Sequence, residues 1–228
     1  MMGYFYAESL LLAQRTDEAV LAYETLLHRR VDVLGADHPL VSQTRSNLAI
    51  AQARHYDTDP RGIDVLVANL EESTRQHGAD SDVVLTARGY LAEQHLRLGD
   101  GHAALTVLTP LIEDRRNLLG EGHPDTLRSE RMAIEAIDLI GDSVCALVEL
   151  DDLVTRLVVA FGPTDPATTH ARLLRLQIAA DLGRVQPAEV AAFTDEVAGQ
   201  FEPGHEVHEI LRELAELVAD DGPAGEGP

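Results

Sequence analysis

Ten histidines, one cysteine and 39 carboxylates are the side chains of this 228-residue chain that could do chemistry. The tightest grouping is His205-Glu206-Val207-His208, with Glu209 next to it. Two imidazoles three residues apart on one helical face have a spacing that can seat a metal. The order His-Glu-Val-His is not the His-Glu-x-x-His of zinc proteases, and no metal is expected there. Cys145 stands directly before Ala146, where a small apolar residue is wanted, and reads as a buried, inert thiol rather than a nucleophile. A Gly-x-x-x-x-Gly-Lys phosphate loop is impossible because all 18 basic residues are Arg, and no Gly-x-Ser-x-Gly elbow occurs. Paired carboxylates such as Glu71-Glu72 read as solvated helix surface. The expectation is therefore no enzyme, with no catalytic residues, no cofactor and no metal.

The elements that must carry these side chains are set by an internal repeat. Leu34-Gly35-Ala36-Asp37-His38-Pro39 recurs as Leu119-Gly120-Glu121-Gly122-His123-Pro124, with worn copies at His77-Gly78-Ala79-Asp80 and Phe161-Gly162-Pro163-Thr164-Asp165-Pro166. A second series interleaves: Leu98-Gly99-Asp100, Ile140-Gly141-Asp142 and Leu182-Gly183-Arg184, spaced by 42. Ala104, Ala146 and Ala188 follow the glycines of that series by five residues, and Gln14 to Ala19 fits the same frame. Tyr56 to Gly62 fits after one inserted residue. Gly at the end of a helix supplies a left-handed cap, Asp caps the next helix, and Pro is tolerated in a first turn. Each motif is thus a stop followed by a start. Between stops the apolar residues keep helical spacing, as in Ala103, Ala104, Val107, Leu108, Leu111 and Ile112.

The spacing predicts an all-α chain with helices near 1–14, 17–34, 39–55, 60–77, 82–98, 101–119, 124–140, 143–161, 166–182 and 187–201. An eleventh, 205–219, places Val207, Ile210, Leu211, Leu214 and Leu217 on one stripe and Glu206, Glu209, Glu213 and Glu216 on the other side. That pattern suits a terminal cap whose outer face meets water. Residues 1–219 are expected to form a single domain of repeats near 1–34, 39–77, 82–119, 124–161 and 166–201. The Gly- and Pro-rich stretch 221–228 lacks core material and is expected to be disordered.

These features resemble the tetratricopeptide repeat (TPR) family. The period and the Leu-Gly-x-x-His-Pro turn look like its kinesin light chain subtype, as does Asn47-Leu48-Ala49 followed by Tyr56. Leu91-Ala92 repeats the Leu-Ala pair, whereas the later copies read Ala133-Ile134 and Arg175-Leu176, and Tyr90, Met132 and Leu174 replace the family's Asn. The resemblance implies a right-handed α-solenoid of about five antiparallel helix pairs plus a C-terminal capping helix. It also implies a concave face, lined by the first helix of each pair, that holds a peptide.

On that frame the first helices present Gln43, Ser46, Asn47, Ile50 and Arg54, then Thr86, Tyr90, Glu93 and Arg97. Further along come Arg128, Arg131, Met132, Glu135 and Asp138, and finally His170, Leu174, Gln177 and Asp181. The candidate partner-binding residues are Asn47, Arg54, Tyr90, Arg97, Arg128, Arg131 and Gln177. Eight of the 18 Arg lie on first helices: 45, 54, 88, 97, 128, 131, 172 and 175. The second helices carry Glu71-Glu72, Glu113-Asp114 and Asp151-Asp152. A basic groove in an acidic shell would favour a partner of acidic character, because guanidinium forks carboxylates. Most Arg on a helix are solvated or paired one turn away, as Arg131 could be with Glu135.

A net charge of −21 repels phosphate backbones and anionic headgroups, so neither nucleic acid nor membrane is an expected partner. A single cysteine fits a cytoplasmic location, and Arg without Lys suggests a high-GC, actinobacterial type of bacterial genome. The leading expectation is a protein-interaction scaffold binding a peptide or protein. The rivals are a homodimer through the N-terminal helix, with Tyr4, Phe5, Tyr6 and Leu10 to Leu12 exposed, and a regulatory segment of a larger bacterial kinase or nucleotide-binding switch.

Overall fold

The computed structural model describes residues 2–202 and 205–220, apart from the side chains of Met2, Gly3, Leu12, Glu206 and Asp220. The expected disordered tail, 221–228, lies outside the described residues. Eleven helices and no strand occur among the described residues. In chain order they are α1 (Met2–Leu12), α2 (Thr16–Leu34), α3 (Pro39–Tyr56), α4 (Arg61–His77), α5 (Asp82–Arg97) and α6 (Gly101–Leu119). They continue as α7 (Pro124–Leu139), α8 (Ser143–Phe161), α9 (Pro166–Asp181), α10 (Pro187–Val197) and α11 (Glu206–Asp220). The chain divides into two compact units, Met1–Leu118 and Leu119–Pro228.

The stops are made as the glycines imply. Gly35, Gly78, Gly120 and Gly162 have φ between +82° and +98°, and Gly99, Gly141 and Gly183 also have positive φ. At the corresponding places in the first two turns the chain uses Gln14 (φ 56°) and Asp57 (φ 48°) instead. Non-glycine residues in this region are strained by their Cβ. The starts are capped by side chains. His38 Nδ1 accepts from the Leu40 amide at 3.1 Å, and His123 Nδ1 from the Asp125 amide at 3.2 Å. Asp165 does the same for Ala167 at 2.9 Å.

In the first unit, neighbouring helices pack in sequence from α1 to α5. Ala7, Leu10, Ala19, Tyr23 and Ala51 form one buried cluster and Ile50, Ala53, Leu66 and Leu91 another. In the second, α7, α8 and α9 pack in order, and α11 closes on α9 and α10. Its core joins Leu150, Leu153, Ile178, Val190, Phe193, Val207 and Leu211. Full burial contributes roughly 2 kcal/mol for each such leucine.

A row of small or β-branched side chains marks the start of each long first helix: Val41, Val84, Thr126 and Thr168 are all wholly buried. Thr126 Oγ1 donates to the Gly120 carbonyl at 2.9 Å, whereas Thr168 Oγ1 is buried without a hydrogen-bond partner.

Three expectations are corrected. Helix α10 starts four residues after Gly183, not two as after Gly99 and Gly141, because Pro187 takes its first turn and Val185 fills the gap. Ala188 is consequently exposed, not packed like Ala104 and Ala146. Cys145 is half-buried, with its thiol 3.7 Å from Glu149 Oε1. Partial desolvation, with help from the Glu149 and Asp142 carboxylates, raises its pKa and keeps it a thiol.

Candidate partner-binding site

The first unit holds Asn47, Arg54, Tyr90 and Arg97; the second holds Arg128, Arg131 and Gln177. Three of the four in the first unit meet. Arg54, Tyr90 and Arg97 line one small cleft with Ile50, Leu66, Glu93 and Gln94, enclosing about 10 Å³, room for roughly one water. Its walls come from α3, α4 and α5.

Glu93 is the hinge of this cleft. Its Oε1 lies 3.9 Å from Arg54 Nη2 and 3.5 Å from Arg97 Nη2. Arg97 Nη1 also reaches Asp57 Oδ1 at 3.4 Å. Arg54 Nε is buried there with no hydrogen-bond partner. The buried Gln94 holds the floor by donating to the Asp57 carbonyl. A Cβ on Gly62 would stand 2.9 Å from Gln94 Nε2, so only glycine fits at that helix start. Asp57 and Gln94 were not among the sequence candidates, and a glycine inside a first turn was their one trace.

Asn47 stands apart from this cleft. Its Nδ2 donates to Tyr4 Oη at 3.1 Å, which ties α3 to α1. Tyr4 meets Tyr23 edge-on, with ring centroids 6.5 Å apart. Burial, aided by the neighbouring Tyr4 and Glu8, pushes the Tyr23 phenol up to about 12.

In the second unit Arg131 pairs with Glu135 at 3.3 Å, one helical turn along α7, as the sequence suggested. Arg128 is exposed and Gln177 half-buried. Met132, expected on the binding face, is buried in the core because the α7 stripe turns it inward. The larger hollow in this unit, about 360 Å³, lies between α8, α9 and α10 and is lined by Arg172, Arg175, Phe193, Glu189 and Glu196. Arg172 stacks over the Phe193 ring at 4.6 Å and forks Glu196 at 2.6 and 2.7 Å. That fork holds the Glu196 carboxyl below its usual range.

The arginines are therefore not a reserve of free positive charge. Arg88 pairs with Asp114, and Arg175 with Asp151 and Glu189, so these first-helix cations stitch to the acidic clusters of the second helices. Arg45 donates to the Ala36 carbonyl. An incoming carboxylate would have to displace Glu93 or Glu135 to gain a guanidinium.

Near the end of the described chain Phe201 is surrounded by His170, His205 and His208, with centroids 6.2, 4.6 and 6.5 Å away. His205 Nδ1 accepts from the Val207 amide at 3.3 Å. Among the described residues no group of three or more His, Cys, Asp or Glu is placed to hold a metal. No described helix is long and apolar enough to cross a membrane.

Helix pairs punctuated at this period define the TPR-like helical-repeat fold. Known structures agree. A Podosopora anserina kinesin light chain with nearly identical TPR-like repeats is 16% identical with a TM-score of 0.62; the match covers 96% of this chain and 94% of that one. The light chain BtubC of P. vanneervenii is 15% identical with a TM-score of 0.62, over 97% of this chain and 80% of that one. At such identities the likeness concerns the fold. No family model matches the chain, and no curated protein does.

Proposed function

We propose that this chain is a non-catalytic protein-interaction module that takes a peptide or a partner surface on its first helices, centred on Arg54, Tyr90 and Arg97. The observation that carries this reading is the cleft where a half-exposed tyrosine, two arginines and the unpartnered Arg54 Nε converge. A buried guanidinium N–H without a partner is costly, and a ligand carbonyl or carboxylate would satisfy it. Tyr90 adds the flat, amphipathic contact that interfaces favour. Because Glu93 already sits between the two arginines, the preferred ligand brings one acceptor to Arg54 and an apolar side chain to Tyr90, not a run of carboxylates.

Peptide-library selection on the full chain, repeated with Tyr90→Ala and with Arg54→Ala, tests this. Peptides that bind the wild type are expected to lose at least about tenfold in affinity on each variant. Equal affinities for wild type and both variants would move recognition elsewhere.

A second reading, self-association through the N-terminal end, is favoured by one observation. Phe5, Tyr6 and Leu21 are 61%, 57% and 63% exposed around a groove of about 420 Å³.

A further inference from the structure

The outward stripe of α2 is complementary to itself when reversed. The groove beside Tyr6 is lined by Glu18, Leu21, Ala22, Thr25, Leu26 and Arg29, all on α2. Arg15, Glu18, Ala22, Thr25, Arg29 and Asp32 follow one another at alternating spacings of three and four residues. That spacing is the seam by which one helix lies along another. Every member is exposed except the half-buried Ala22. Run in the opposite direction, the stripe sets Arg15 against Asp32, Glu18 against Arg29 and Ala22 against Thr25. Each charged position thus meets its opposite, and the two central positions are small enough for close approach of the backbones.

We propose that the occupant of this groove is a second copy of the chain, docked α2 against α2 in antiparallel fashion about a two-fold axis between Ala22 and Thr25. The proposal rests on the self-association reading above and specifies its symmetry. A two-fold contact uses the same patch on both partners, so it requires a surface complementary to its own reverse. The monomer leaves that complementarity unspent. Arg29 and Asp32 make no ion pair with any described residue, and Arg15 has only Glu18, at 2.6 Å, both well exposed. Leu21 runs along the edge of the stripe and Tyr6 of α1 walls it, so docking covers the apolar surface as well. A chain of unlike charge pattern would meet some of these charges with their like, which is how such stripes exclude wrong partners.

Sedimentation equilibrium of the full chain at low ionic strength, where exposed charges are least screened, tests the proposal. The wild type is expected to be a dimer. Arg29→Glu sets two glutamates against each other twice per dimer and is expected to weaken association by about tenfold or more. The double reversal Glu18→Arg with Arg29→Glu rebuilds the opposition and is expected to restore association to near wild type. Circular dichroism should be unchanged throughout, since both positions are exposed. A monomeric wild type overturns self-association altogether. A dimer that ignores Arg29→Glu, or is not rescued by the double reversal, overturns the α2 two-fold while leaving self-association through another surface.

Discussion

The first and second units are built from the same kind of hairpin, yet they finish differently. In the second unit α11 lays Val207, Leu211, Leu214 and Val218 into the core and turns Glu209, Arg212, Glu213 and Glu216 outward. In the first, α1 and α2 leave Phe5, Tyr6 and Leu21 in the open. The turns differ in the same sense: the second unit uses Gly141 and Gly183 where the first uses Gln14 and Asp57. One unit is closed by its own sequence. The other keeps surface and backbone strain in reserve, which is how interaction surfaces differ from scaffolding.

The contrast can be broken most sharply at the apolar faces. Leu211→Ala opens a cavity under the cap and is expected to cost about 3 kcal/mol, whereas Leu21→Ala at the open face is expected to stay within about 0.5 kcal/mol. Urea denaturation of the two variants at a concentration where the wild type is monomeric checks this, and similar losses would erase the distinction. The buried phenol comes next. With the Tyr23 pKa pushed up to about 12, the unfolded chain sheds that proton first as pH rises past about 10. Stability full below pH 10 should therefore fall by about 2 kcal/mol towards pH 12, and Tyr23→Phe should flatten that decline.

The turns give smaller effects. Gln14→Gly should stabilise by about 1 kcal/mol and Gly141→Gln should destabilise by about as much, both read from thermal melts. Smallest is the buried row. Thr168→Val removes an unpartnered hydroxyl and reproduces Val41 and Val84, so a gain of about 1 kcal/mol or slightly less is expected. A loss there would mean that a water serves Thr168.

The sequence exposed the helices because each stop is written locally, in a glycine and the capping residue after it. It did not expose Gln14 and Asp57 as left-handed, since nothing local distinguishes a residue forced into that conformation by its neighbours. It located Arg54, Tyr90 and Arg97 on shared faces, because helical spacing alone places them. The pairing of Arg88 with Asp114 and of Arg175 with Asp151 was hidden, as residues 26 and 24 positions apart meet only through tertiary packing. Met132 was misplaced for a related reason: a methionine suits either a groove or a core, and the packing of α7 decides between them.

The imidazole caps carry a further consequence. His38, His123 and His205 each offer Nδ1 as an acceptor to a backbone amide, so each ring must keep its hydrogen on Nε2. Three helix starts therefore select one tautomer, the form less populated by free imidazole in water. Nitrogen-15 spectra of the rings would display that selection at three sites at once, and would show it vanish as each helix start frays.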